Sequence, residues 1–228
     1  GRATANAQWG NAPSVLVGDF LYSRSFEMMV ELGSMPVMQI LSKATRIIAE
    51  GEVLQLSKVR DASTSEETYM EVIRGKTAML FEASSHSAAV LAGADEVQTE
   101  ALRVFGDHLG VAFQLMDDLL DYRGDAQAMG KNVGDDLAEG KPTLPLIHAM
   151  REGTPAQAEL VRKAIQQGGS QDLESIRAAV EAAGSLDYTA QLARHYAEKA
   201  IQCLSTLPAS TYRDALTELT RFAVARSN

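Results

Sequence analysis

Apolar residues recur along this chain at three- and four-residue intervals, the spacing that lines one face of a helix. After a turn-rich start containing Gly10, Asn11 and Pro13, Ser14 is placed to cap a helix with Leu16, Phe20, Leu21, Met28 and Leu32 as apolar positions; Gly33 and Pro36 end it. A second helix is predicted from about Val37 to Leu56, with Ile40, Leu41, Ile47, Ile48 and Leu54 on its apolar side. Asp61-Ala-Ser-Thr-Ser-Glu reads as a loop and helix cap. The next helix begins near Ser65 and passes through Tyr69, Ile73, Lys76, Leu80 and Phe81 to about Leu91. Its small residues Ala83, Ser84, Ser85, Ala88 and Ala89 permit close approach of another helix, in the core or at a subunit interface.

A further helix spans about Glu96 to Tyr122. Between Arg123 and Pro145 the glycines at 124, 130, 134 and 140 predict a loop, of a length usually reserved for function. Leu144 to Met150, Pro155 to Gln167, Gln171 to Ala183, Leu186 to Leu207 and Ser210 to Ala225 read as the remaining helices. No internal repeat or sustained heptad divides the chain, so one all-α domain over 1–228 is expected.

Composition agrees. Apolar residues make up 46% and charged residues 22% of 228 residues, and Ala, Leu, Glu and Gln are plentiful while Pro is scarce. A formal charge of −9 disfavours nonspecific contact with nucleic acid or an anionic membrane. It leaves anionic substrates open, because carboxylates hold divalent cations and those cations hold phosphates. One cysteine, Cys203, rules out an intrachain disulfide, and a cytoplasmic setting is expected. No apolar run reaches the roughly 20 residues a membrane span needs.

The densest chemistry lies in Phe113-Gln-Leu-Met-Asp-Asp-Leu-Leu-Asp121. On a helix Asp117 and Asp121 share a face one turn apart, Gln114 sits on the turn before, and Asp118 lies about 100° round the axis. Such like charges repel by a few tenths of a kcal/mol per pair, and a hard cation relieves that repulsion. Mg²⁺ takes oxygen ligands, keeps waters and completes its shell from substrate phosphates. Taken alone, the trio fits a solvated acidic helix face equally well. Lys131 and Lys141 follow in glycine-rich segments able to bring ammonium groups to diphosphate oxygens, and Lys76-Thr77 adds a cation and a hydroxyl on an otherwise apolar helix.

At these residues the sequence resembles the trans-polyprenyl diphosphate synthase family, and within it the bacterial enzymes with octaprenyl-length products. The matching stretches are Gly1-Arg-Ala-Thr-Ala-Asn, Val15-Leu-Val-Gly-Asp-Phe-Leu, Ala49-Glu-Gly-Glu-Val-Leu-Gln-Leu, Lys76-Thr-Ala, Phe113-Gln through Asp121, and Gly130-Lys-Asn-Val-Gly-Asp-Asp-Leu-Ala-Glu-Gly-Lys-Pro-Thr-Leu-Pro. The resemblance implies a bundle of long, mostly antiparallel helices around a central cavity. It implies Mg²⁺ on Asp117, Asp118 and Asp121, and an allylic diphosphate held by Lys76, Thr77, Gln114, Lys131 and Lys141. Catalysis then falls to Lys76, Asp117, Asp118 and Lys131. The implied reaction ionises the allylic diphosphate, adds the alkene of isopentenyl diphosphate and loses a proton, building a polyprenyl chain for quinones. A homodimer is implied as well. The family's first aspartate-rich motif and its arginine pair would precede Gly1, so the chain is expected to be an N-terminally truncated, inactive part of an active parent. Phe26, Met29, Val30 and Leu41 are expected along the product tunnel. A noncatalytic partner subunit and a terpene cyclase are the alternatives. A di-iron bundle is disfavoured, since none of His86, His108, His148 and His195 stands in a Glu-x-x-His pair.

Overall fold

A computed structural model describes residues 3–123, 134–168 and 173–225, and every regular element among them is helical. Helix α1 (Ala5–Trp9) lies in the segment read above as turn-rich and is capped by Thr4, whose side chain accepts from the Ala7 N–H at 3.1 Å. Helix α2 (Asn11–Leu32) starts three residues before the predicted cap. Ser14 is therefore inside the helix, its hydroxyl donating to the Gly10 carbonyl at 2.8 Å. Pro13 is tolerated there because a first-turn residue has no intrahelical acceptor for its N–H. Gly33 ends α2 in the left-handed region, as predicted, whereas Pro36 opens α3 (Met35–Lys58), which Ser34 caps.

Ser65 caps α4 (Glu66–Ile73), accepting from the Thr68 N–H. The helix predicted to run unbroken to Leu91 then widens into a π-helical turn, Arg74–Ala78, before continuing as α5 (Met79–Leu91). Such turns concentrate at functional sites, and this one carries Lys76 and Thr77. Helix α6 (Glu96–Arg123) follows, then a short α7 (Asp135–Ala138), α8 (Leu144–Glu152), α9 (Pro155–Gln167) and α10 (Leu173–Ala182). The chain closes with α11 (Ser185–Cys203), a 3₁₀ turn at Leu204–Thr206 and α12 (Thr211–Ala225).

Helix α6 is the axis of the bundle, packed most extensively against α11 and α5. Its Val111, Leu115 and Leu119 join Leu144 and Leu146 of α8, Val161 and Ile165 of α9, and Ile176 and Val180 of α10 in the main core. Each such side chain contributes about 1.5–3 kcal/mol on full burial. A smaller cluster unites Phe105 and Leu109 with Ala200, Leu204 and Ala223.

Of the small residues of α5, Ala83 and Ala89 are buried in the core, while Ser84 and Ala88 face outward. Gly106 of α6 meets Phe81, Glu82 and Ser85 so closely that it leaves no room for a Cβ. On α3, Gly51 serves the same purpose toward the π turn, where a Cβ would stand 2.6 Å from the Lys76 nitrogen. Gly110 of α6 does the same on the other side, where a Cβ would stand 2.5 Å from Ala78 Cα, so the turn bearing Lys76 is held between α3 and α6. Helix α2 departs from expectation, because Leu16, Phe20 and Leu21 are exposed and Met29 alone is buried. Of the expected tunnel residues, Met29 is buried, Phe26 and Leu41 are half-buried and Val30 is exposed.

Candidate active site

A cavity of about 260 Å³ opens where α3, the α4–π-turn segment, α6 and the α7–α8 connection meet. Each wall follows from its local sequence. Gln55 and Lys58 stand three residues apart on α3 and so share a face. The π turn contributes Lys76 and Thr77; α6 contributes Gln114, Asp117 and Asp118; and the α7–α8 segment contributes Asp136, Lys141 and Thr143. That segment is held by a backbone bond from the Arg60 N–H to the Gly140 carbonyl at 2.8 Å. Gly140 adopts φ 76°, and a Cβ there would meet the Arg60 side chain at 2.8 Å, so glycine suits this turn on both counts.

The polar groups form a connected network. The Tyr69 phenol donates to Asp118 Oδ2 at 2.5 Å, Gln114 Nε2 donates to Asp118 Oδ1 at 2.7 Å, and the Thr77 hydroxyl donates to Gln114 Oε1 at 2.8 Å. Both carboxylate oxygens of Asp118 thus have donors although the residue is 3% exposed. Burial, and then the Asp136 charge, still push its pKa up to about 7, against the pull of Tyr69 and Gln114. The Lys76 ammonium donates to Gln55 Oε1 at 2.7 Å and pairs with Glu52 at 3.5 Å. Lys141 pairs with Glu139 at 2.8 Å and Asp136 at 3.1 Å. Burial works against its charge, but these carboxylates more than offset it and hold it protonated well above the ordinary lysine range.

The structure brings Lys76, Thr77, Gln114, Asp117, Asp118 and Lys141 to one cavity. Lys131 lies outside the described residues. Asp121 turns toward α7 instead: its Oδ2 accepts the Asp136 N–H at 3.3 Å, and its backbone carbonyl accepts from Gly134 at 3.0 Å. Burial, followed by the Asp136 charge, lifts its pKa to about 6 while the α7 amides oppose the shift. Among the described residues no three acidic, histidine or cysteine side chains converge tightly enough to hold a metal unaided. The donor set still suits a hard divalent cation that draws further ligands from water and phosphate, since Asp117 and Asp118 present oxygens in a cavity flanked by lysines.

Sequence reasoning missed Tyr69, Gln55, Lys58 and Asp136. Asp136 stood within a quoted motif, and the spacing of Gln55 and Lys58 on α3 was a usable signal. Nothing local marks Tyr69, whose partner lies 49 residues away. The four histidines stay out of the cavity; His148 is buried against Ser185, its Nδ1 and the hydroxyl 2.9 Å apart.

Comparison with known proteins agrees with this geometry. The sequence pattern of the polyprenyl synthetase family matches residues 1–183. The chain is 52% identical over 228 residues to the octaprenyl diphosphate synthase of Haemophilus influenzae, covering all of this chain and 69% of that protein. It is 54% identical over 227 residues to that of Escherichia coli, covering 99% and 70%. A Caulobacter crescentus polyprenyl synthase, crystallised with calcium and isoprenyl diphosphate, superposes with a TM-score of 0.94 at 48% identity, covering all of this chain and 70% of that one. With its helical bundle, its cavity of lysines and aspartates and these matches, the chain belongs to the polyprenyl synthetase family of trans-prenyltransferases.

Proposed function

We propose that the cavity binds the diphosphate of an allylic substrate for chain elongation with isopentenyl diphosphate, giving an octaprenyl-length product destined for quinone side chains. One observation carries the reading: the paired Asp117 and Asp118 share a single small cavity with Lys76, Thr77, Gln114 and Lys141. Asp117 and Asp118 would hold Mg²⁺, with Asp121 behind them, and the bound cation would neutralise charge on the departing diphosphate. Lys76 and Lys141 supply ammonium groups to phosphate oxygens, exchanging them for the carboxylates and amide they now contact. Gln114 links the metal-binding carboxylate to Thr77, so one hydrogen-bond chain orients both sets of ligands.

The reading also takes the protein to be a homodimer in the cytoplasm, checked by sedimentation mass and cell fractionation. The exposed apolar residues of α2 favour a covered face. The decisive test incubates the protein, as its organism makes it, with farnesyl diphosphate, isopentenyl diphosphate and Mg²⁺. Chromatography should show mainly octaprenyl diphosphate, with turnover abolished by chelation. Products no longer than farnesyl diphosphate, or full turnover in chelator, would contradict the reading. The terpene-cyclase alternative lacks a reason for lysines at 131 and 141 in glycine-rich sequence, and cyclised hydrocarbon without isopentenyl diphosphate would be its mark.

A further inference from the structure

Thr143 stands where a threonine ordinarily caps a helix, yet it makes no cap. It is the N-cap residue of α8, with extended backbone angles, and its side chain takes no N–H from the first turn. Elsewhere in the chain Thr4, Ser34, Ser65 and Thr154 occupy the same position and each accepts that bond. The Thr143 backbone is fully engaged, its N–H donating to the Lys141 carbonyl and its carbonyl accepting from Leu146 and Ile147, each at 3.0 Å. The hydroxyl remains. Among the described residues it makes no hydrogen bond of good geometry, in a residue only 6% exposed, and its one polar neighbour there is the equally buried Tyr122 phenol, which acts on it at close range.

Two buried hydroxyls with only each other for company leave at least one hydrogen-bonding proton unused, and a buried polar group left so in a cavity wall is a candidate to meet a ligand. Thr143 lines the same cavity as Lys141, Asp117 and Asp118. The neighbouring acceptors are already served: Asp118 by Tyr69 and Gln114, Asp136 by Lys141. A phosphate oxygen is an acceptor with no donor capacity of its own, and it is the group this cavity is built to receive. Rotation about one side-chain bond turns the threonine hydroxyl toward it.

We propose that Thr143 is a further substrate-binding residue, donating its hydroxyl proton to an oxygen of the allylic diphosphate while accepting from the Tyr122 phenol. One chain of two hydrogen bonds then satisfies both hydroxyls, each bond strengthening the other. The inference rests on the diphosphate reading of the cavity given above.

Thr143→Val and Thr143→Ser in the whole protein test it. Valine keeps the shape and removes the hydroxyl, so KM for farnesyl diphosphate should rise roughly ten-fold while KM for isopentenyl diphosphate holds. Serine should restore near wild-type values. Without ligand, the valine variant should melt at or above the wild-type temperature, because an unpaired buried hydroxyl has been removed. A valine variant with unchanged KM overturns the proposal. So does one with a lowered melting point and both constants raised alike, the pattern of a structural role. Failure of the wild-type protein to bind farnesyl diphosphate in a Mg²⁺-dependent way would overturn the function reading and this proposal together. Wild-type binding with an indifferent valine variant would overturn this proposal alone.

Discussion

A carboxylate placed between Leu115 and Leu119 on a helix buried on nearly every side is costly as an anion unless its oxygens are supplied with donors. Asp118 has two, and the stronger geometry belongs to Tyr69, whose own pKa burial and the Asp118 charge raise well above its ordinary value. The phenol therefore stays a donor at any working pH. Tyr69→Phe deletes that bond with little change of shape and leaves one buried oxygen without a partner. Because the Tyr69 bond is among the forces holding the Asp118 pKa down, its loss makes the carboxylate harder to ionise and harder to bind to metal. The Mg²⁺ concentration for half-maximal activity should rise roughly ten-fold, and denaturant unfolding should show a loss of about 1–3 kcal/mol. An unchanged Mg²⁺ titration would show that Tyr69 does not orient a metal ligand.

At the scale of elements, the site depends on how closely α3 and α6 approach the π turn. Gly51→Ala sets a methyl group against the backbone nitrogen of Lys76, where nothing flexible can yield. The turn must shift, and the lysine shifts with it. We expect a loss of about 1–3 kcal/mol in stability and a larger fall in kcat/KM for the allylic diphosphate than that loss alone produces, read under conditions where the variant is fully folded. Full activity with lowered stability would detach the turn's position from catalysis. The turn also shows where sequence reading stopped. Periodicity located α3, α6 and the later helices, since their apolar stripes meet a continuous core. It carried the helix from Ser65 straight through Arg74–Ala78, because a π turn adds one residue without interrupting apolar content. It also placed Ser14 at a cap, because Pro13 resembles a stop until its first-turn position is known. For the site, Asp117, Asp118, Lys76 and Lys141 were legible because charge on an apolar helix, or beside glycine, is conspicuous. Tyr69 and Thr143 were not, since each looks like ordinary core or cap and acquires meaning only from partners distant in the chain.

Across the whole molecule a formal charge of −9 coexists with a site proposed to receive an anion. The electrostatic cost falls on the acidic residues, and it can be measured in the ligand-free protein. Asp118 and Asp121 have pKa values raised to about 7 and about 6, against 3.8 for an ordinary aspartate. Between those limits the folded state binds more protons than the unfolded state, so stability falls as pH rises. The contribution is fully present below the unfolded value and is lost as pH climbs through about 6 and about 7. Unfolding free energy measured in chelator should therefore decline from pH 4.5 to pH 7.5 in the part of the profile these residues control. Asp118→Asn should flatten that decline, because a neutral amide has no proton to lose, and should leave the variant as stable as the wild type or more so at pH 7.5. Mg²⁺ with inorganic diphosphate should also flatten it in the wild-type protein, since a ligand bound only by the folded, ionised site raises stability most where the carboxylates are charged. A wild-type profile in chelator that rises over this interval, with Asp118→Asn leaving it unaltered, would mean that the buried acids are ionised at no cost and that the cavity holds no latent demand for a cation.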